Sequence, residues 1–119
     1  MSEMKNIIIL TLILISFKAL CETFLKGIED IPAYKNMAYV EESLVMFDKI
    51  NGRVVSTEII GKYNYSEVSE FYKKILPNLG WKLISKNFYR RGEESLELEY
   101  ILDGKQLRVV FNISPKKSE

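Results

Sequence analysis

The sequence predicts an α+β domain: a single antiparallel sheet of about six strands, in the order β-β-α-β-β-β-β, with one helix packed on one face. Three observations point there. The stretch Asn64 to Trp81 is the one segment past the first twenty residues with the three-and-four spacing of a helix. Short runs rich in Val, Ile, Phe and Tyr lie on both sides of it, separated by Asn-Gly, Asp-Gly and other turn residues. The chain has 119 residues, which is room for one core and one domain.

The first element is an apolar run, Ile7 to Phe17, preceded by Lys5 and followed by Lys18-Ala19-Leu20-Cys21. A bilayer span needs about 20 residues, so a run of this length with basic flanks reads as a signal peptide. Initiation at Met4 would remove Glu3 and leave a basic start. Ala19 and Cys21 are spaced for cleavage before Glu22. An uncleaved anchor helix is the alternative, with membrane contact through residues 7–20 and Lys18 reaching the interface. Acylation at Cys21 is weaker, because Lys18 and Leu20 stand where lipoprotein signals carry an aliphatic and a small residue. Residues 1–21 are therefore read as signal or anchor, and the expected address is export to the periplasm or cell envelope. Without them the chain keeps 15 acidic and 15 basic residues.

Residues 22–42 show no clean period, and Ile31-Pro32 interrupts any helix. They read as a linker, with Ile31, Tyr34 and Met37 as contacts to the domain at 43–115. Tyr34 and Tyr39 read as linker tyrosines rather than ligand contacts. Ser43–Asp48 and Arg53–Lys62 form a hairpin around Lys49-Ile50-Asn51-Gly52, its register open between a two- and a four-residue loop.

The helix follows. Val68, Phe71, Tyr72, Ile75, Leu76 and Leu79 make one apolar stripe, opposite Glu67, Glu70, Lys73 and Lys74. Asn64 is the expected cap, with Glu67 reaching back and Ser66 the rival, so Asn64-Tyr65-Ser66 reads as a cap rather than a glycosylation site. Glu70 is expected to pair with Lys74. Gly80 is the expected terminator, and Pro77 leaves open whether the last turn passes through it or stops before it.

Trp81–Ser85 and Asn87–Arg91 are short strands with turns at Lys86-Asn87 and Gly92. The last hairpin turns at Asp103-Gly104, which sets Tyr100 opposite Leu107, Leu98 opposite Val109, Leu96 opposite Phe111 and Glu99 opposite Arg108. Residues 116–119 are a frayed tail.

Phe71-Tyr72, Leu76-Pro77 and Gly80-Trp81, followed by Phe88-Tyr89-Arg90-Arg91 and the Asp103-Gly104 hairpin, resemble a group of small uncharacterised bacterial exported proteins. The shared phrase is an F-Y-x-x-x-L-P-x-x-G-W helix between strands, and the likeness covers about Phe47 to Pro115. The resemblance implies a fold and an envelope address, and no activity.

Composition narrows the chemistry. Basic and acidic residues number 17 and 16, and lysine outnumbers arginine 13 to 4, so no nucleic-acid footprint is expected. Histidine is absent, which removes the commonest general base and metal ligand. One cysteine gives no disulfide framework. No nucleophile elbow, phosphate loop or dinucleotide fingerprint occurs. Two clusters remain. Glu97 and Glu99, on one strand face, have the spacing of an acid/base pair or a hard-cation site. Arg90 and Arg91, with Trp81 and Tyr89 beside them and Lys82, Lys86 and Arg108 nearby, would offer cations and stacking rings to a phosphate, headgroup or glycan. The default reading of both is a solvated face with Trp81 and Phe88 in the core. The expected function is a non-enzymatic envelope domain, without cofactor or metal, that binds another protein or an envelope polymer. The alternatives are a ligand binder or enzyme using the Glu/Arg cluster, and a membrane-tethered accessory subunit.

Overall fold

The computed structural model describes residues 23–116. The expected N-terminal helix, Cys21 and the tail residues 117–119 lie outside them. No helix among the described residues is long and apolar enough to cross a membrane.

The α+β architecture is present, with one helix and an antiparallel sheet, but more strands than expected. Upstream of the predicted first hairpin come β1 (Phe24–Leu25), β2 (Ile28–Pro32) and β3 (Ala38–Tyr39). Then follow β4 (Val45–Lys49), β5 (Gly52–Gly61), α1 (Tyr65–Asn78), β6 (Lys82–Ser85), β7 (Phe88–Arg91), β8 (Glu94–Asp103) and β9 (Gln106–Pro115). Seven strands form the main sheet in the order β3-β5-β9-β8-β7-β6, with β4 on the same edge of β5 as β3. The β1–β2 hairpin is a separate two-stranded ribbon. Helix α1 carries the chain from β5 to the far edge, and the meander β6 to β9 returns, so that β9 closes on β5 and becomes central.

Strand β9 shows why the sheet has a core face. Leu107, Val109, Phe111, Ile113 and Pro115 alternate as buried residues with half-buried Arg108, Val110, Asn112 and Ser114. The inner face continues sideways as Val55, Ile113, Leu96 and Tyr89, and as Thr57, Phe111 and Leu98. Against it α1 lays Val68, Tyr72 and Leu76, each at 0% exposure.

The helix ends follow the sequence. The Asn64 side chain accepts from Glu67 N–H at 2.9 Å, and Asn64 N–H donates to the Glu67 carboxylate at 3.3 Å. The helix runs through Pro77, in its last turn, then stops: Trp81 N–H bonds Leu76 C=O, Gly80 N–H bonds Pro77 C=O, and Gly80 sits at φ +91°. Glu70 approaches Lys73 at 3.9 Å, not Lys74 as expected.

Two expectations change. The last hairpin turns at Gly104-Lys105, with Asp103 opposite Gln106. Tyr100 therefore faces Val109, Leu98 faces Phe111, Leu96 faces Ile113 and Glu99 faces Val110. Gly104 takes φ +65° at the first turn position, where a type II′ turn requires glycine. The two-residue shift leaves every side chain on its expected face. The segment expected as a linker supplies part of the core: its three expected contacts, Ile31, Tyr34 and Met37, are buried, and so are Leu25 and Ile28, which were not expected. Its anchor is polar. Tyr72 O–H donates to Pro32 C=O at 2.9 Å, and Tyr34 N–H donates to the Tyr72 hydroxyl at 3.0 Å. The first hairpin has the two-residue loop Ile50-Asn51, with Lys49 opposite Gly52.

Candidate functional site

The six side chains singled out in the sequence divide between the two faces of the sheet. Trp81 is fully buried and Tyr89 is 3% exposed, both on the helix side. Arg90 pairs across the strands with Lys82 and Ser95 on the outer face, its guanidinium carbon 5.7 Å from the centre of the Phe88 ring. Arg91, the next residue, points to the helix side. Glu97 and Glu99 are exposed on the outer face, opposite Asn112 and Val110. Arg90, Glu97 and Glu99 thus share one face with Phe88, while Trp81, Tyr89 and Arg91 share the other. Arg108, the expected partner of Glu99, donates instead to Glu58 at 3.2 Å and Asp103 at 2.8 Å. Those two carboxylates hold its pKa above the ordinary value, Asp103 more than Glu58.

Arg91 makes a structural clasp. Its guanidinium carbon lies 4.2 Å from the centre of the Trp81 ring, and one nitrogen donates to Asp30 at 2.6 Å and to Leu79 C=O at 3.0 Å. One side chain thereby ties β7, the end of α1, the buried indole and the β1–β2 ribbon together.

Two features emerge that the sequence did not mark. The first is a trough between the β1–β2 ribbon and α1. At one end a hollow of about 500 Å³ is lined by Thr23, Pro32, Tyr34, Lys35, Asn36 and Phe71. It shares Pro32 and Phe71 with a second hollow of about 390 Å³, whose walls include Phe24, Ile75, Asn78 and Leu79. The first end is built on aromatic rings packed edge to face: Tyr34 on Tyr63 at 5.1 Å, Tyr34 on Phe71 at 5.0 Å, Phe71 on Tyr72 at 4.9 Å, and Tyr72 on Phe111 at 5.1 Å. Lys35, at φ +43°, holds its ammonium 5.3 Å from the Tyr34 ring centre and 5.9 Å from that of Tyr63. The neighbouring Tyr34 hydroxyl, and more weakly the Glu67 carboxylate, raise its pKa.

The second feature is the edge strand β4. All five residues are exposed, and Val45, Met46 and Phe47 keep 50%, 56% and 49% of their surface in solvent. Among the described residues it pairs with β5 alone, without a bulge, and its other side is open. The opposite edge, β6, is shorter, irregular between Leu83 and Ser85, and flanked by Lys82 and Lys86. Bulges, short length and lysines are the usual defences of an edge. In β4 only the terminal Asp48-Lys49 serves that purpose.

Compared with known protein families, curated proteins and solved structures, the chain matches none of them.

Proposed function

We propose that the chain is an exported, non-enzymatic domain of the bacterial envelope that recognises another protein by accepting one of its strands along β4. The undefended edge carries this reading. A free row of backbone donors and acceptors gives affinity in strand addition, and side chains alternating about it give selectivity. Val45 and Phe47 stand on the outer face with Val54, and Met46 on the helix side beside Val55. An incoming strand would therefore find apolar side chains on both faces. The envelope address rests on the apolar run Ile7 to Phe17 between Lys5 and Lys18, and on the resemblance to small exported proteins. A retained run would make the same domain a membrane-tethered subunit. The reading as a ligand binder or enzyme needs Glu97, Glu99, Arg90 and Arg91 to converge, and the division between two faces favours it less.

A photoreactive amino acid placed at Phe47, and in a separate protein at Glu99, tests this in the source cells. One discrete cross-linked species is expected from position 47 and none from position 99. It should disappear when Val45 is changed to Lys while the thermal midpoint stays within a few degrees. The absence of a discrete adduct at position 47 would remove the proposal. Intact mass in soluble and membrane fractions tests the address: a chain starting at Glu22 marks a free domain, and an unprocessed chain a tethered one.

A further inference from the structure

The apolar surface of α1 is wider than the sheet can cover. Its inner line, Val68, Tyr72 and Leu76, is fully buried, but the parallel line Phe71, Ile75 and Leu79 is only half covered. Residues four apart stack on one side of a helix, so this second line is a continuous apolar rail about 12 Å long. Phe24, 49% exposed, and Pro32 face it from the β1–β2 ribbon and complete a trough. The two ends of the trough differ. At one mouth stand Thr23, Asn36 and the ammonium of Lys35, which lies over the Tyr34 and Tyr63 rings and has no salt bridge among the described residues. At the other, the cation is already spent, because Arg91 is bound to Asp30. The trough therefore has an apolar rail along one wall, with the Lys35 ammonium at one mouth and the Arg91–Asp30 pair at the other.

From this asymmetry we infer that the trough binds one acyl chain with an anionic head, the tail along Phe24, Phe71, Ile75 and Leu79 and the carboxylate or phosphate at Lys35 and Asn36. The path of the chain agrees. Thr23 lies in the same mouth, and only five residues, 18–22, separate it from the apolar run ending at Phe17. Fully extended, they span at most about 18 Å. A run held in a bilayer would thus keep the mouth at the lipid surface.

The test uses the full chain titrated with monomeric palmitate, dodecyl phosphate and, as the uncharged probe, hexadecanol, followed by calorimetry. Saturable binding of one equivalent is expected for all three. Phe24→Glu, at a half-exposed position, should weaken all three by about tenfold or more, the loss expected for an apolar contact given a charge. Lys35→Glu should weaken palmitate and dodecyl phosphate by about tenfold while leaving hexadecanol within about twofold, since it inverts one partly screened charge. Leu102→Glu, in an exposed apolar residue elsewhere on the sheet, should change nothing. Binding that does not saturate, survives Phe24→Glu, or falls equally in Leu102→Glu would overturn the inference. Vesicles of phosphatidylglycerol form a second arm: capture of the protein that depends on Phe24 assigns the site to a bilayer lipid, and monomer binding alone assigns it to a free amphiphile.

Discussion

Tyr72 joins two parts of the chain through one hydroxyl. It donates to Pro32 C=O and accepts from Tyr34 N–H in a fully buried setting. Tyr72→Phe would leave both backbone groups without partners, which costs about 1–3 kcal/mol. A fall of that size in the urea unfolding free energy is expected, with the inner apolar packing retained. Arg91 has a comparable structural weight. Arg91→Lys keeps the charge but loses the planar fork that stacks on Trp81 while reaching Asp30 and Leu79. With its side chain 30% exposed and partly screened, a loss of about 1–2 kcal/mol is expected, with a change in Trp81 fluorescence in the folded protein. An unchanged unfolding midpoint in Arg91→Lys would show that the clasp contributes nothing. In the sequence, Arg90 and Arg91 form an adjacent pair and invite a joint role. Strand alternation separates them, and only the pairing of β7 with β6 and β8 shows which of the two turns inward.

Among the elements, α1 and the hairpins β4–β5 and β8–β9 were legible because their signals are local. The Asn64 and Glu67 cap, the Gly80 stop and the apolar stripe all lie within eighteen residues of sequence. The register expected for β8–β9 is two residues off because Gly104 can occupy either turn position, and the sequence reading puts it second where its φ of +65° puts it first. Strands β1 to β3 were illegible for a different reason. Ile28, Ile31, Tyr34 and Met37 are three apart, broken by Pro32 and by Lys35 in a left-handed turn, and fit neither a strand nor a helix. Their partners lie some forty residues away, at Tyr72 and its neighbours, so tertiary packing alone makes them core. The trough was hidden for the same reason, being walled by two such distant segments. At the helix ends a direct comparison is available. Asn64→Ala should cost about 1 kcal/mol, since it frees the Glu67 amide. Gly80→Ala places a Cβ at φ +91° and 3.2 Å from Arg91 Cδ, so the strain of about 1 kcal/mol is accompanied by pressure on the clasp. Gly80→Ala should therefore lose additional stability in the wild-type background but less in Arg91→Ala, a coupling that a double-mutant cycle reads directly.

For the whole molecule, the core extends from Leu25 to Ile113, and the upstream segment is part of it. Burying a Leu, Ile or Met side chain contributes about 1.5–3 kcal/mol, and a domain of this size has about 5–15 kcal/mol in all. Removing residues 1–42 takes away Leu25, Ile28, Ile31 and Met37 together, so cooperative thermal unfolding should vanish, whereas removing residues 1–21 should preserve it. Charge gives the last prediction. Histidine is absent, so no side chain of the described residues has an ordinary pKa between about 4.5 and 10, and stability should be level from about pH 6 to 9. Above that, burial raises the pKa of Tyr72, Tyr89 and Tyr100 in the folded state. The unfolded chain releases these protons near pH 10 while the folded protein still holds them. Fewer protons are then bound to the unfolded state, and stability must fall as pH rises past about 10, by up to about 1.4 kcal/mol per pH unit for each tyrosine fully protected. Tyr100 isolates the effect: its pKa is raised first by burial, and it packs edge to face on Tyr65 at 5.0 Å. Urea unfolding at pH 7, 9, 10 and 11 should show a shallower alkaline fall in Tyr100→Phe than in the parent, with the two proteins differing least in slope below pH 9. Parallel profiles throughout would mean that Tyr100 titrates alike in both states and that its burial does not contribute to the pH dependence.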